Sequence, residues 1–161
     1  MAVSTVLLVI IGATTTTYAG LDNVAQGKPA EMSSIYDNRW PASKAVDGII
    51  NSNMAGGSCF HTDNFWFNWW KVDLLQIYQV KQIELYNRQD CCADRAKNID
   101  LSVGPSSTDM EQVKTWAQLS SFEKLVFETT KSVRYVRIMN LSEDYEDIYF
   151  HLCEVKVLVE V

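Results

Sequence analysis

From Val80 onward, apolar and polar positions alternate with a period of two. Val80–Tyr86, Ile99–Val103, Lys124–Glu128, Val133–Ile138 and Cys153–Val159 each carry β-branched or aromatic residues on one alternating face. That pattern predicts half-buried β-strands. Gly27, Pro29, Pro41, Gly48, Gly56-Gly57 and Gly104-Pro105 punctuate the chain with turn chemistry. Short strands separated by turns, with no helical periodicity of any length, predict an all-β fold, an antiparallel β-sandwich or jelly roll. Helix is confined to a turn or two near Pro41–Ala45. The aromatic run Phe65-Trp66-Phe67-Asn68-Trp69-Trp70 leads into a strand, Lys71-Val72-Asp73-Leu74, and is expected to plug one end of the core. Trp66, the least strand-like of its three tryptophans, is the candidate for stacking on a ligand.

Met1–Ile11 is almost wholly apolar, and small residues follow it up to Thr17-Tyr18-Ala19. The run is too short to span a bilayer and reads as a signal peptide over residues 1–19, leaving one domain over residues 20–161. About 140 residues is enough for a single core. Export would make the chain secreted and extracellular, permit disulfides, and open the sequon Asn140-Leu141-Ser142 to glycosylation. The net charge of −6 lies entirely in residues 20–161 and argues against nucleic-acid or anionic-membrane partners.

Candidate chemistry concentrates in Arg88-Gln89-Asp90-Cys91-Cys92-Ala93-Asp94-Arg95. Adjacent cysteines have Cα atoms about 3.8 Å apart across a trans peptide, so a bond between them closes a small rigid ring. An apolar knob between two guanidinium forks suits the floor of a small-ligand site better than a core. Four cysteines allow three pairings, which sequence alone does not distinguish; the working expectation is Cys59–Cys153 with Cys91–Cys92. Only two histidines and no CxxC argue against zinc. His151, in the alternating run Tyr149–Leu152, is read as a strand residue.

Asn23–Ala30, Ala45-Val46-Asp47-Gly48 and Trp69–Leu74 resemble the discoidin-type jelly rolls, and together with the vicinal cysteines they resemble the F-type lectins, fucose-binding proteins. The resemblance covers the whole of residues 20–161. The family's sugar motif is a His, twenty-six residues, Arg-x-Asp, four residues, then Arg or Lys. His61, Arg88, Asp90 and Arg95 meet every position. The resemblance implies that His61, Arg88 and Arg95 contact the axial 4-hydroxyl of L-fucose and its neighbours, with Asp90 orienting a guanidinium. It also implies that the Cys91–Cys92 ring packs on the sugar's apolar side. Tyr36, Trp40 and Met54 are the candidates to receive the fucose methyl group.

The same resemblance implies a structural Ca²⁺, a cation that takes six to eight hard oxygens. Carried over, its side-chain ligands are Asp47, Ser58 and Glu154, joined by main-chain oxygens of Lys44, Ile49 and Cys153. The expected partners are fucosylated glycans or glycoproteins in innate immunity or cell recognition. No nucleic acid and no membrane insertion are expected. A weak single site favours a homo-oligomer, a trimer by resemblance. An adhesion module binding protein or lipid through apolar loop tips is the alternative. A glycosidase is disfavoured, because such enzymes use two positioned carboxylates and the convergent groups here are cationic.

Overall fold

A computed structural model describes residues 20–143 and 148–161. The expected signal peptide, residues 1–19, lies outside the described residues. Among the described residues seven strands form: β1 (Leu21–Asn23), β2 (Ala30–Met32), β3 (Trp69–Tyr86), β4 (Lys97–Ser106), β5 (Asp109–Gln118), β6 (Phe122–Asn140) and β7 (Glu154–Glu160). All pair antiparallel, in the order β1-β7-β3-β6-β4-β5, with β2 added to β3.

The two long strands make this hydrogen-bonded surface a sandwich. Trp69–Asp73 of β3 pairs with β2 and with the end of β6, whereas Val80–Tyr86 pairs with β7 and with the start of β6. Between these halves the register shifts at Asp73/Tyr78 and again at Val80/Gln82. Bulges bend and twist a strand, so β3 and β6 each serve both layers. The sequence reading placed separate strands at 80–86, 124–128 and 133–138; the structure merges the last two and extends the first back to Trp69.

Inward faces of the layers meet in a core of Trp70, Phe60, Phe150, Leu74, Ile83, Leu85, Ile99, Leu101, Ile138 and Leu152. Phe60 stacks on Trp70 at 6.1 Å and meets Phe150 edge-on at 5.3 Å. Trp70 satisfies its buried indole N–H by donating to Ala42 O at 2.8 Å, anchoring the 3₁₀ turn Ala42–Val46 to the core. The expected aromatic plug is therefore narrower than the sequence suggests. Trp70 fills the core and Trp69 is half-buried, but Phe65, Trp66 and Phe67 are exposed on the loop ahead of β3. β5 has no fully buried residue, only three half-buried ones, as an edge strand can, which is why apolar alternation did not reveal it.

Candidate functional site

Outside the assigned strands, the extended segments 59–62 and 150–153 lie antiparallel. Phe60 N donates to Leu152 O at 3.0 Å and Thr62 N to Phe150 O at 2.9 Å. In this register Cys59 faces Cys153, to which it is disulfide-bonded, and His61 faces His151. Phe60, Phe150 and Leu152 take the core side. Alternation sends His61 the other way, toward a cavity of about 380 Å³.

Nine residues line that cavity: Tyr36, Trp40, Met54, Ala55, His61, Arg88, Asp90, Arg95 and Tyr149. All four motif positions are thus brought together, as are the three apolar candidates Tyr36, Trp40 and Met54. Sequence reasoning missed Ala55 and Tyr149. Tyr149 shares the alternating face of His151, and that face could have flagged it.

Arg88, Asp90, His61 and Arg95 each contact specific neighbours. Arg88, 9% exposed, donates from Nε and Nη2 to the two carboxylate oxygens of Asp90 at 2.8 and 2.9 Å. Asp90 Oδ1 also accepts from Met54 N at 3.0 Å, which ties the short turn Met54–Gly56 to the clamp. The Arg88 hydrogen bonds hold the Asp90 carboxyl well below the usual carboxylate range, so it stays ionised. His61, 4% exposed, has Nδ1 2.7 Å from Thr62 O, an acceptor only, so Nδ1 carries the proton. That leaves Nε2 facing Arg95 Nη1 at 3.5 Å. Arg95 lies over the Tyr149 ring, 4.7 Å from its centre, a cation–π contact. Tyr36 and Tyr149 flank His61 at 5.0 and 5.3 Å. The result is one imidazole acceptor and two guanidiniums set in an aromatic wall, suited to a neutral, hydroxyl-rich ligand with an apolar side.

Cys91 and Cys92 are bonded to each other, and Cys92 has φ of 57° as it enters the short turn Ala93–Arg95. Neither lines the cavity; Cys91 is exposed and Cys92 half-buried. The ring therefore stands beside the cavity, between Asp90 and Arg95, rather than forming its floor. Trp66 does not line it either. His151 is corrected as well: it precedes β7 and is fully buried, its ring 5.5 Å from that of His61. Burial, reinforced by the charges of Arg88 and Arg95 and by that of His61 once His61 is protonated, lowers its pKa to about 3 and keeps it neutral. Asn140 is 2% exposed, donates from Nδ2 to Arg95 O at 2.8 Å and accepts from Ser142 N. Its amide is a strut within the fold and is not presented to solvent as a glycan acceptor.

A second polar cluster lies near the start of β7. Glu154 is fully buried, and neither carboxylate oxygen has a hydrogen-bond partner. Burial and the negative charge of Asp47 raise its pKa to about 7, against a weaker opposing pull from the Gly48 amide. Asp47 Oδ1 accepts from Ile49 N at 2.9 Å, and Lys44 Nζ is 3.9 Å from Asp47 Oδ2. Ser58, 2% exposed, precedes Cys59 and Glu154 follows Cys153, so the antiparallel register and the bridge bring the two to the same end of the paired segments. Among the described residues no three His, Cys, Asp or Glu side chains cluster as a metal site, so any cation here would need main-chain oxygens.

The fold is that of a discoidin-type β-sandwich, and the cavity is its candidate ligand site. A family model described as a NedA-like, galactose-binding domain matches residues 44–138. Fucolectin-6 of Anguilla japonica is 32% identical over 143 residues, covering 84% of this chain and 75% of its own length. A fucose-binding module of Streptococcus pneumoniae superposes with a TM-score of 0.75 at 31% identity, covering 86% of this chain and 95% of that one. The serum f-lectin of striped bass, Morone saxatilis, superposes with a TM-score of 0.78 at 30% identity over 86% of this chain. The chain spans about half of that lectin, 49%. With this similarity on top of the shared fold, the chain belongs to the fucolectin, or F-type lectin, family.

Proposed function

We propose that the protein is a secreted, non-catalytic lectin that binds terminal L-fucose on glycans through the His61–Arg88–Arg95 cavity. The observation that carries this reading is the convergence of one imidazole acceptor and two guanidiniums on a single aromatic-walled cavity. An axial hydroxyl donates to His61 Nε2, while Arg88 and Arg95 donate to that oxygen and its neighbours. Rigid donors in fixed directions read the orientation of each hydroxyl and so separate fucose from its epimers. The methyl group packs among Tyr36, Trp40 and Met54. From beside the cavity, the Cys91–Cys92 ring covers the sugar's apolar side.

Catalysis has little support. Among the described residues that line the cavity Asp90 is the one carboxylate, and both of its oxygens are engaged by Arg88. It can serve neither as a proton-bearing acid nor as a free nucleophile, and glycoside hydrolysis needs two carboxyl groups. Its work is to fix Arg88 and to offset that residue's charge.

The buried carboxylate of Glu154, without a partner and beside Asp47, supports a structural Ca²⁺ held by Asp47, Ser58 and Glu154 with carbonyls of Lys44, Ile49 and Cys153. Hard oxygens suit that ion, and its charge would compensate a buried anion that otherwise costs several kcal/mol. The ion's contribution is to fix the Asp47 loop against the start of β7. A single shallow sugar site gains useful avidity through assembly, so the protein is a homo-oligomer, with a trimer favoured, acting on fucosylated glycoproteins in recognition of microbes or cells.

Calorimetric titration with L-fucose, in Ca²⁺ and in EDTA, tests the reading. Saturable, fucose-specific binding without cleavage is expected. No heat with L-fucose, combined with binding to lipid vesicles through exposed Ile49, Ile50, Phe65, Trp66 and Phe67, would instead establish the adhesion-module alternative.

A further inference from the structure

We propose that Asn68 and Asn140 are positioning residues of the sugar site, forming a buried amide hub that holds the His61–Arg95 half of the cavity in place. This inference rests on the fucose-binding reading and adds to it two residues that touch no ligand.

Asn68 is 1% exposed and its carboxamide is fully used. Its Oδ1 accepts from the hydroxyls of Ser33 at 2.7 Å and Ser34 at 3.2 Å. Its Nδ2, with two hydrogens and one of them shared, reaches the carbonyls of Asp63, Phe65 and Ile148 at 3.0, 2.7 and 2.8 Å. Three separate chain segments therefore meet on one side chain. Each leads within two residues to a cavity wall: Ser34 to Tyr36, Asp63 back to His61, and Ile148 to Tyr149. The fourth wall is reached through the second amide. Asn140 N donates to Asn68 O at 2.7 Å, and Asn140 Nδ2 donates to Arg95 O at 2.8 Å.

These four walls also touch one another, through the Tyr36–His61, His61–Tyr149 and Arg95–Tyr149 contacts, and Trp40 packs on Tyr36 and His61 beside them. Arg88, Asp90 and Met54 are fixed instead by their own clamp. The two halves thus rest on different side-chain partners, and they are joined at the 90–95 segment, where Asn87, which accepts from Arg88 N, donates to Ala93 O at 3.0 Å. Satisfied buried amides specify geometry, and a cavity left in the hub would be transmitted to the segments it holds.

That division gives a test that general destabilisation does not mimic. L-fucose affinity is measured by calorimetry for the wild type and for Asn140→Ala, each alone and combined with Arg95→Lys or Arg88→Lys. Thermal melting confirms folding of every variant. Asn140→Ala is expected to weaken binding at least ten-fold in the wild-type and Arg88→Lys backgrounds, but less than three-fold with Arg95→Lys, whose position is already compromised. If Asn140→Ala does not fold, the cycle is run with Asn140→Asp, which keeps the acceptor for Ser142 N and removes the amide donor to Arg95 O. Unchanged affinity in a folded variant, or equal losses in both arginine backgrounds, overturns the hub. A wild type that fails to bind L-fucose overturns the fucose reading itself, and the hub with it.

Discussion

His61 and His151 lie opposite each other on paired segments, with ring centres 5.5 Å apart, two residues from the bridge between Cys59 and Cys153. The disulfide fixes the register that aims His61 at the cavity. His151, neutral and buried, forms the surface on which that imidazole rests. Stability and recognition are therefore linked at this point of the fold.

Replacing Cys59 and Cys153 together with Ala should damage both properties. The bridge spans 94 residues of chain, for which the loop-entropy relation gives about 4–5 kcal/mol. Chemical denaturation should show most of that loss, and L-fucose affinity should fall as the His61 register loosens. Full affinity in a destabilised double variant would show that the register does not depend on the bridge.

Arg88→Ala and Arg95→Ala should each reduce L-fucose binding by roughly ten-fold to a hundred-fold or more, since each removes charged hydrogen bonds worth about 1.5–3 kcal/mol. Their effects on folding should differ. Arg88→Ala strips the partner from Asp90, so its melting temperature should fall further than that of Arg95→Ala, and Asp90→Asn in the Arg88→Ala background should recover part of it. Calorimetry and thermal melting on the three variants decide the matter.

Much of this was legible from spacing. The motif's spacing singled out His61, Arg88, Asp90 and Arg95, and the fold brings all four to one cavity. Apolar alternation revealed the strands that bury a face, including Ile99–Val103 and Val133–Ile138. It was silent on β5, whose edge position needs no apolar stripe, and on β1 and β2, which are three residues each. Period two misjudged His151, because it reports sidedness and cannot say that both faces of a segment are covered. Composition misjudged Phe65–Phe67 in the opposite sense: Phe67 adopts φ of 57°, and the chain turns outward before β3 begins. The sequon at Asn140 shows the same limit. A three-residue pattern carries no information about burial.

Glu154→Gln separates the metal from the fold. In EDTA the substitution removes a buried carboxylate without partners, so the melting temperature should rise or hold. In millimolar Ca²⁺ the wild type should gain several degrees and the variant little, because a ligand that binds only the folded state stabilises by mass action. Equal Ca²⁺ increments in both proteins would remove Glu154 from the proposed site.

Acid sensitivity should have a contribution far from the cavity. Asp73 accepts from Arg134 Nε and Nη2 at 2.8 and 2.9 Å, and these bonds lower its pKa to about 2. A depressed carboxyl pKa stabilises fully above the unfolded value, near 3.9, and the benefit disappears as pH falls toward 2. The pair is partly exposed, so the effect is modest. Asp73→Asn should be less stable than wild type at pH 5 and should lose less between pH 4 and pH 2. Parallel melting curves for the two proteins across that range would count against the pair.

The vicinal disulfide should matter to recognition more than to folding. It closes the smallest loop the chain permits, so its entropic effect on the unfolded state is slight beside that of the 94-residue bridge. Locally it joins Asp90, one anchor of the Arg88 clamp, to the turn that carries Arg95, with Cys92 held in the left-handed region. Reduction frees that backbone and removes a fixed sulfur surface beside the cavity. Changing Cys91 and Cys92 together to Ser should therefore lower L-fucose affinity about ten-fold or more while shifting the melting temperature by only a few degrees. Non-reducing peptide mapping checks the pairing, and calorimetry on the double variant checks its role. Free thiols at these positions, or a double variant that binds L-fucose as tightly as wild type, would show that the ring takes no part in holding the two arginines.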